Sequence, residues 1–248
     1  MLKSFRKYYR TVVFISAIAF CILFSTPILS SSPPDTSNLP PANVHPLPQS
    51  LATLENEQGD YFSQIETTPL GYLVWTNLPI KVYVESISPE PTAANQRFQQ
   101  WTVAAQKAIA EWNVYLALTE ITDKNQADII ILRLQPEREA KLNPDTGLFD
   151  IPRAVAAQTN YKFYLTEKPQ TIAMRMTIEV SSNFTGVSLQ ATMRHELGHA
   201  LGIWGHSPNK DDALYFSQVS NPPAISTRDI NTLKKIYQQP TRLGWKIP

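Results

Sequence analysis

The 248-residue sequence is poor in cysteine and histidine and has almost no net charge. Its only cysteine, Cys21, lies in an apolar N-terminal run, so no disulfide can form within the chain and cysteine chemistry cannot serve the remainder. The 22 basic and 21 acidic side chains are interspersed and leave a formal net charge of +1. This pattern lacks the basic stripe of nucleic-acid-binding proteins, and we expect no nucleic acid partner.

The first 30 residues have the composition of an export signal. Residues 11–29 form an apolar run without charged side chains, and four basic residues precede it: Lys3, Arg6, Lys7 and Arg10. This order is typical of a secretory signal peptide, but the run also approaches the roughly 20 residues that span a bilayer. We predict that residues 1–30 are a signal peptide or a transmembrane signal anchor. The remainder is then exported, and is either secreted or anchored to the membrane by residues 11–29.

Two regions of different composition follow. Residues 31–67 are rich in proline, serine and asparagine, which favours an extended spacer because repeated prolines remove backbone donors. We predict a linker or a pro-segment here. Residues 68–248 are long enough for one globular domain with a sizeable core.

Hydrophobic periodicity predicts an α+β domain. Alternating or continuous apolar runs indicate strands at 80–85, 127–134 and 171–180, with further strands near 153–158 and 161–166. Apolar residues at helical spacing indicate helices at 92–118, 188–201 and from Ser226 onward, where Ser226 and Asp229 resemble a capping box. The strand at 171–180 either borders a cleft, where it can pair with an extended peptide, or is an ordinary core strand.

Three of the four histidines fall within residues 195–206. On a helix His195 and His199 lie on one face, so their neutral rings can bind a single Zn²⁺ at about 2.0–2.1 Å. Glu196 lies beside them and can take a proton from a zinc-activated water. Gly202 can end the helix in a left-handed turn, which lets the chain return with His206 as a third ligand.

The motif His195-Glu196-Leu197-Gly198-His199-Ala200-Leu201-Gly202, followed by His206-Ser207, resembles the metzincin signature in the form that matrixins carry. The predicted order of strands and helices is also similar over residues 70–240. This resemblance implies a metzincin-like zincin domain, with a twisted mixed β-sheet, long helices and a cleft that holds zinc on His195, His199 and His206. It also implies a zinc metalloendopeptidase with Glu196 as the general base.

The sequence departs from the metzincin pattern in the spacing of the third histidine. Three residues separate Gly202 from His206, where metzincins have two. Gly205 can absorb the extra residue in a bulge or a wider turn, because glycine reaches conformations that other residues cannot. If it does not, another group must bind the metal, and Asp211 and Asp212 are the nearby candidates with oxygen ligands.

Other family features are altered or lack support. Leu214 stands where metzincins have the methionine of a turn beneath the zinc, and leucine has a similar volume. The neighbouring Tyr215 either packs or hydrogen-bonds near the metal. The cysteine-based latency of the family cannot operate, because no cysteine follows Cys21. Structural Ca²⁺ is common in matrixins, but no carboxylate-rich loop supports it here.

These observations predict a zinc-dependent endopeptidase that hydrolyses peptide bonds outside the cytoplasm, with proteins or peptides as its substrates. The membrane is a further partner if the N-terminal segment is retained. Two alternatives stay open. The altered spacing and the missing methionine suit a catalytically degenerate, membrane-tethered zinc-binding protein, and a zinc site can also hydrolyse non-peptide substrates.

Overall fold

The computed structural model describes residues 39–54, 59–86, 92–136, 141–142, 149–150, 157–217, 219 and 221–248. The predicted export segment, residues 1–30, lies outside these ranges. No helix within them is long and apolar enough to cross a membrane.

Within the described residues, five of the seven strands form one mixed sheet. The strands are β1 (Ile80–Val84), β2 (Leu118–Glu120), β3 (Ile129–Leu132), β4 (Lys141–Leu142), β5 (Phe149–Asp150), β6 (Ala157–Leu165) and β7 (Ile172–Val180). The sheet has the order β2-β1-β3-β7-β6, while β4 and β5 pair only with each other. Its first four strands are parallel and β6 runs antiparallel to β7. Together with the helices, this sheet confirms the predicted α+β class.

β7 is an internal strand with a strict alternation of buried and half-buried residues. It pairs with β3 on one side and with β6 on the other, so it has no free edge for a substrate peptide. Of the two predictions left open for this strand, the core strand is therefore correct. The strand expected near 161–166 lies within β6, which is continuous from Ala157 to Leu165 and so leaves no break before residue 161. Most of the strand expected near 153–158 lies outside the described residues. Asn160, at the expected interruption, exposes its side chain while its backbone pairs with Thr177.

In the ranges that the structure describes, four α-helices accompany the sheet: α1 (Gln49–Ala52), α2 (Ala93–Trp112), α3 (Gly186–Ala200) and α4 (Thr227–Tyr237). α2 ends before the predicted position 118, because Asn113 Oδ1 accepts a hydrogen bond from the Leu118 N–H (2.6 Å) and the chain turns into β2. α4 begins with the predicted capping box, in which Ser226 and Asp229 each accept the other's backbone N–H.

α2 and α3 pack against each other, and α3 also contacts β6 and β7. The buried apolar side chains of the two helices include Phe98, Trp101, Ala105, Ala108, Trp112, Leu189, Met193 and Leu197. Trp112 Nε1 in addition donates a hydrogen bond to the Arg194 carbonyl oxygen (2.8 Å). The helix that carries the first two histidines is thus fixed by its apolar face and by a hydrogen bond.

The described residues before position 68 are part of the domain rather than a spacer. Leu51 of α1 and Tyr61 are buried in the core, and His45 stacks on Trp245 with ring centroids 4.1 Å apart. One compact unit spans Ser37–Pro248. The domain boundary predicted at residue 68 is therefore too late. The proline-rich composition did indicate an irregular backbone, but scattered apolar and aromatic side chains attach that backbone to the domain.

Candidate metal centre

α3 presents His195 and His199 side by side. Their Nε2 atoms are 3.1 Å apart, and the ring centroid of His206 lies 5.3 and 4.8 Å from theirs, respectively. One ligand nitrogen from each of the three rings lies within 4.8 Å of the other two. In the part of the chain that the structure describes, this is the one group of three or more His, Cys, Asp or Glu side chains that could hold a metal ion.

His206 reaches the cluster although an extra residue precedes it. Gly202 follows α3 with a φ of +121°, and a Cβ there would collide with the backbone of a neighbouring segment. The Trp204 N–H then donates to the Gly202 carbonyl (2.8 Å), and the Gly205 N–H donates to the Ile203 carbonyl (3.0 Å). These two successive tight turns shorten the path and absorb the additional residue.

Asp211 and Asp212, the alternative ligands, do not join the cluster. Asp212 is buried, and its carboxylate accepts hydrogen bonds from the hydroxyls of Ser207 and Ser226 and from the guanidinium of Arg228. Its role is to connect the loop after the third histidine with the start of α4.

The hydrogen bonds of the rings fix their tautomers. His195 Nδ1 faces the Ala213 carbonyl oxygen at 2.9 Å, and His199 Nδ1 faces the Ile203 carbonyl oxygen at 2.7 Å. A carbonyl only accepts, so each neutral ring carries its proton on Nδ1 and turns an Nε2 lone pair toward the other ring. Two lone pairs at 3.1 Å repel unless a cation lies between them. Two nitrogens bound tetrahedrally to zinc lie roughly 3.3–3.4 Å apart, so the donor set fits this metal.

Burial favours the neutral, metal-binding form of His199 and His206. It lowers the pKa of His199 well below its ordinary value, and the neighbouring His195 lowers that pKa further. Burial and His195 also lower the pKa of His206. A metal ligand must be deprotonated, so both shifts favour metal binding over proton binding at neutral pH.

Glu196 lies in the same buried cleft, with 8% of its surface exposed. Its Oε2 accepts a hydrogen bond from the Thr159 hydroxyl on β6 (2.6 Å), which also lies 3.1 Å from the Glu196 carbonyl oxygen. Burial raises the pKa of Glu196, while His195 and the Thr159 hydrogen bond act in the opposite direction. Sequence reasoning missed Thr159, because a single threonine within a strand carries no motif.

Leu214 forms the floor beneath the histidine-bearing helix. It is fully buried, and a Cβ added to Gly198 of α3 would lie 2.6 Å from its Cδ2 atom. The preceding Ala213 holds His195 through its carbonyl and donates its N–H to Asp229 (2.8 Å). Leu214 therefore packs directly against the helix that carries the first two histidines.

A cavity of about 340 Å³ opens beside the histidines and Glu196. One wall is formed by the outer face of α3 and the start of β6, and the other by residues 215–217, 219, 222 and 223. Besides His195, Glu196 and His206, its lining is mainly small or apolar: Ala157, Ser188, Ala191, Thr192, Ala213, Tyr215, Phe216, Ser217, Val219, Pro222 and Pro223, together with Asp212. Tyr215 contributes its ring to this lining and packs on Phe216, with centroids 4.5 Å apart.

Arg194, the residue before His195, binds the cavity wall that contains Pro223. Arg194 Nη1 donates a hydrogen bond to the Pro223 carbonyl oxygen (2.6 Å), while Nε and Nη2 bind the carboxylate of Glu111 on α2. The guanidinium thus joins α2, α3 and the cavity wall.

Comparison with known proteins identifies the family. The family model described as Matrixin matches residues 85–238, more than half of the chain, and the matched range includes the histidine cluster, Glu196 and α4. No curated protein matches the chain significantly. The chain belongs to the matrixin family of zinc-dependent metalloendopeptidases.

Proposed function

We propose that His195, His199 and His206 hold the catalytic zinc and that Glu196 is the general base for peptide-bond hydrolysis. The observation that carries this proposal is the convergence of the ring nitrogens, with the two Nε2 atoms of α3 only 3.1 Å apart and each Nδ1 of that pair facing a carbonyl. Three histidines leave a zinc position open for water or substrate, as catalytic zinc sites require.

When bound, zinc polarises a carbonyl group and lowers the pKa of a water molecule toward about 7. The Glu196 carboxylate then takes the proton of the attacking water and passes it to the leaving amine. The Thr159 hydroxyl orients the carboxylate for this transfer, because it fixes Oε2 at 2.6 Å. The low exposure of Glu196 keeps bulk water from competing for the proton.

The substrate lies extended along β6. In the described part of the chain no strand pairs with the outer edge of β6, and we expect a peptide to pair with this edge in β-sheet fashion. Thr159 of this strand contacts Glu196, and Ala157 lines the cavity. A peptide bound along β6 therefore passes the general base. The small and apolar lining favours an uncharged side chain next to the scissile bond.

The proposed site of action is outside the cytoplasm, with the enzyme secreted or tethered by residues 11–29. The support is the basic start and the charge-free apolar run of the N-terminal segment. Fractionation of cells that produce a C-terminally tagged full chain tests this. We expect the tag outside the cytoplasmic membrane, and a tag confined to the cytoplasm contradicts the proposal.

Two observations favour an active enzyme over the degenerate zinc-binding alternative. The extra residue before His206 is taken up by tight turns, and Leu214 packs as a floor under Gly198. The other alternative, hydrolysis of non-peptide substrates, is tested by the ester substrates of the assay described next.

The test compares Glu196→Gln with Glu120→Gln, an exposed carboxylate on β2 far along the sheet, in the full chain. Casein, a peptide library and simple esters are offered to each protein, and zinc content is measured in parallel. We expect Glu196→Gln to retain zinc and lose peptide hydrolysis, while Glu120→Gln matches the wild type. A Glu196→Gln protein that still cleaves peptides refutes the general-base role, and cleavage of esters alone refutes peptide hydrolysis.

A further inference from the structure

Residues 59–66, here called the strap, run along α4 before they reach the metal centre. Asn231 donates a side-chain hydrogen bond to the Gly59 carbonyl (2.8 Å), and Lys235 pairs with Asp60 (2.6 Å). The Tyr61 N–H donates to the Thr232 hydroxyl (3.0 Å). Three successive residues of the strap are therefore bound to one helix.

One arm of the strap leads to His195. The Tyr61 hydroxyl donates to Asp229 Oδ1 at 2.6 Å, and Asp229 Oδ2 accepts the N–H of Ala213 at 2.8 Å. The carbonyl of the same Ala213 faces His195 Nδ1 at 2.9 Å. Tyr61 is 3% exposed, and its burial raises the pKa of the phenol, so the hydroxyl stays a hydrogen-bond donor. Removal of this donor leaves a buried carboxylate short of one partner.

The second arm leads to His206. The Glu66 N–H donates to the Trp204 carbonyl (2.8 Å), and Ile65 pairs in antiparallel fashion with Gly205. Gly205 directly precedes His206. A Cβ at Gly205 would collide with the Gln64 carbonyl oxygen, so the strap and the turn fit together only because this residue is glycine. The strap therefore contacts the stretch that contains the extra residue before the third histidine.

We propose that the strap is a permanent positioning element of the metal centre, retained in the active enzyme rather than released as a pro-segment. It holds His195 through Tyr61 and Asp229, and it holds His206 through the turn at Gly205. The two arms begin at Tyr61 and Ile65 and reach the chain on either side of His206, at Ala213 and Gly205. The inference rests on the proposed function in one respect, the assignment of these histidines as zinc ligands.

The test uses the full chain with three variants. Tyr61→Phe removes the hydroxyl of the first arm. Gly205→Ala adds a Cβ that collides with the Gln64 carbonyl oxygen in the second arm. Ser50→Ala is the matched control, since it deletes a hydrogen bond between the N-terminal region and the Tyr115 carbonyl (2.7 Å) that does not reach the histidines. The zinc dissociation constant is measured by chelator competition, the coordination geometry by the visible spectrum of the Co²⁺-loaded protein, and folding by thermal unfolding of the metal-free protein.

We expect Tyr61→Phe and Gly205→Ala to weaken zinc binding on the order of 10- to 100-fold, as loss of a group that orients a ligand does, and to alter the cobalt spectrum. Ser50→Ala should lower the unfolding temperature without either change. Wild-type zinc affinity and an unchanged cobalt spectrum in Tyr61→Phe overturn the proposal, even if Gly205→Ala fails to fold. Mass spectrometry of the active enzyme adds a second criterion. Retention of residues 59–66 supports the proposal, and an active species that begins after residue 66 overturns it.

Failure of the proposed function gives a different result. A wild-type protein that binds zinc but hydrolyses no peptide refutes the catalytic assignment and leaves the affinity and cobalt measurements valid for the strap.

Discussion

The hydrogen bond between Thr159 and Glu196 gives the sharpest prediction about catalysis. Thr159→Val keeps the shape of a buried β-branched side chain but removes the hydroxyl that lies 2.6 Å from Glu196 Oε2. A hydrogen bond to a charged group contributes about 1.5–3 kcal/mol. Because about 1.4 kcal/mol corresponds to a tenfold change in rate, we expect kcat/KM to fall roughly 10- to 150-fold.

The assay is steady-state hydrolysis of a fluorogenic peptide by protein of verified zinc content. The loss should appear in kcat, since the carboxylate acts during the proton transfer and does not hold the ground-state peptide. Thr159→Ser restores the hydroxyl and should recover most of the activity. If Thr159→Val hydrolyses the peptide at the wild-type rate with a full complement of zinc, the hydroxyl does not orient the general base and this part of the mechanism is wrong.

Three further predictions concern the cavity wall, the floor and the metal. Arg194→Lys cannot bind Glu111 and the Pro223 carbonyl together, so we expect the KM for peptides to rise. Urea unfolding should show that the free energy of unfolding falls by about 1.5–3 kcal/mol. An unchanged KM contradicts a role of Arg194 in the cavity wall. Leu214→Ala should cost about 2–5 kcal/mol in the same unfolding assay and Leu214→Met less than about 1.5 kcal/mol, whereas equal losses contradict a packed floor. Removal of zinc by a chelator should lower the unfolding temperature, and added zinc should restore it. The reason is that a metal present at 1,000 times its dissociation constant stabilises the folded state by about 4.1 kcal/mol. An unfolding temperature that does not respond to zinc contradicts a site that forms only in the folded protein.

Local patterns in the sequence predicted the elements that form over a few consecutive residues. The spacing of His195 and His199 was sufficient because α3 supplies the alignment, and the capping box at Ser226 depends on a residue only three positions away. β7 was equally clear, since its alternation extends over nine residues. β2 was missed because three residues are too short to establish a period.

The contacts that complete the site join distant parts of the chain and have no local signature. Tyr61 and Asp229 are 168 positions apart, and Thr159 and Glu196 are 37 apart. The path to His206 depends on the backbone conformation of residues 203–205, which hydrophobic periodicity cannot determine. The proline-rich composition before residue 68 concealed the strap, because composition indicates an extended backbone and does not identify what that backbone binds.

The central claim is that three histidines form the zinc site although one extra residue precedes the third. Its most direct test is the zinc dissociation constant and stoichiometry of the full chain, wild type beside His206→Ala, by chelator competition and elemental analysis. We predict one zinc per wild-type chain and a loss of affinity of more than roughly 100-fold in the variant, because two histidines alone leave the coordination incomplete. A variant that binds zinc as tightly as the wild type contradicts the claim, since His206 would then not be a ligand.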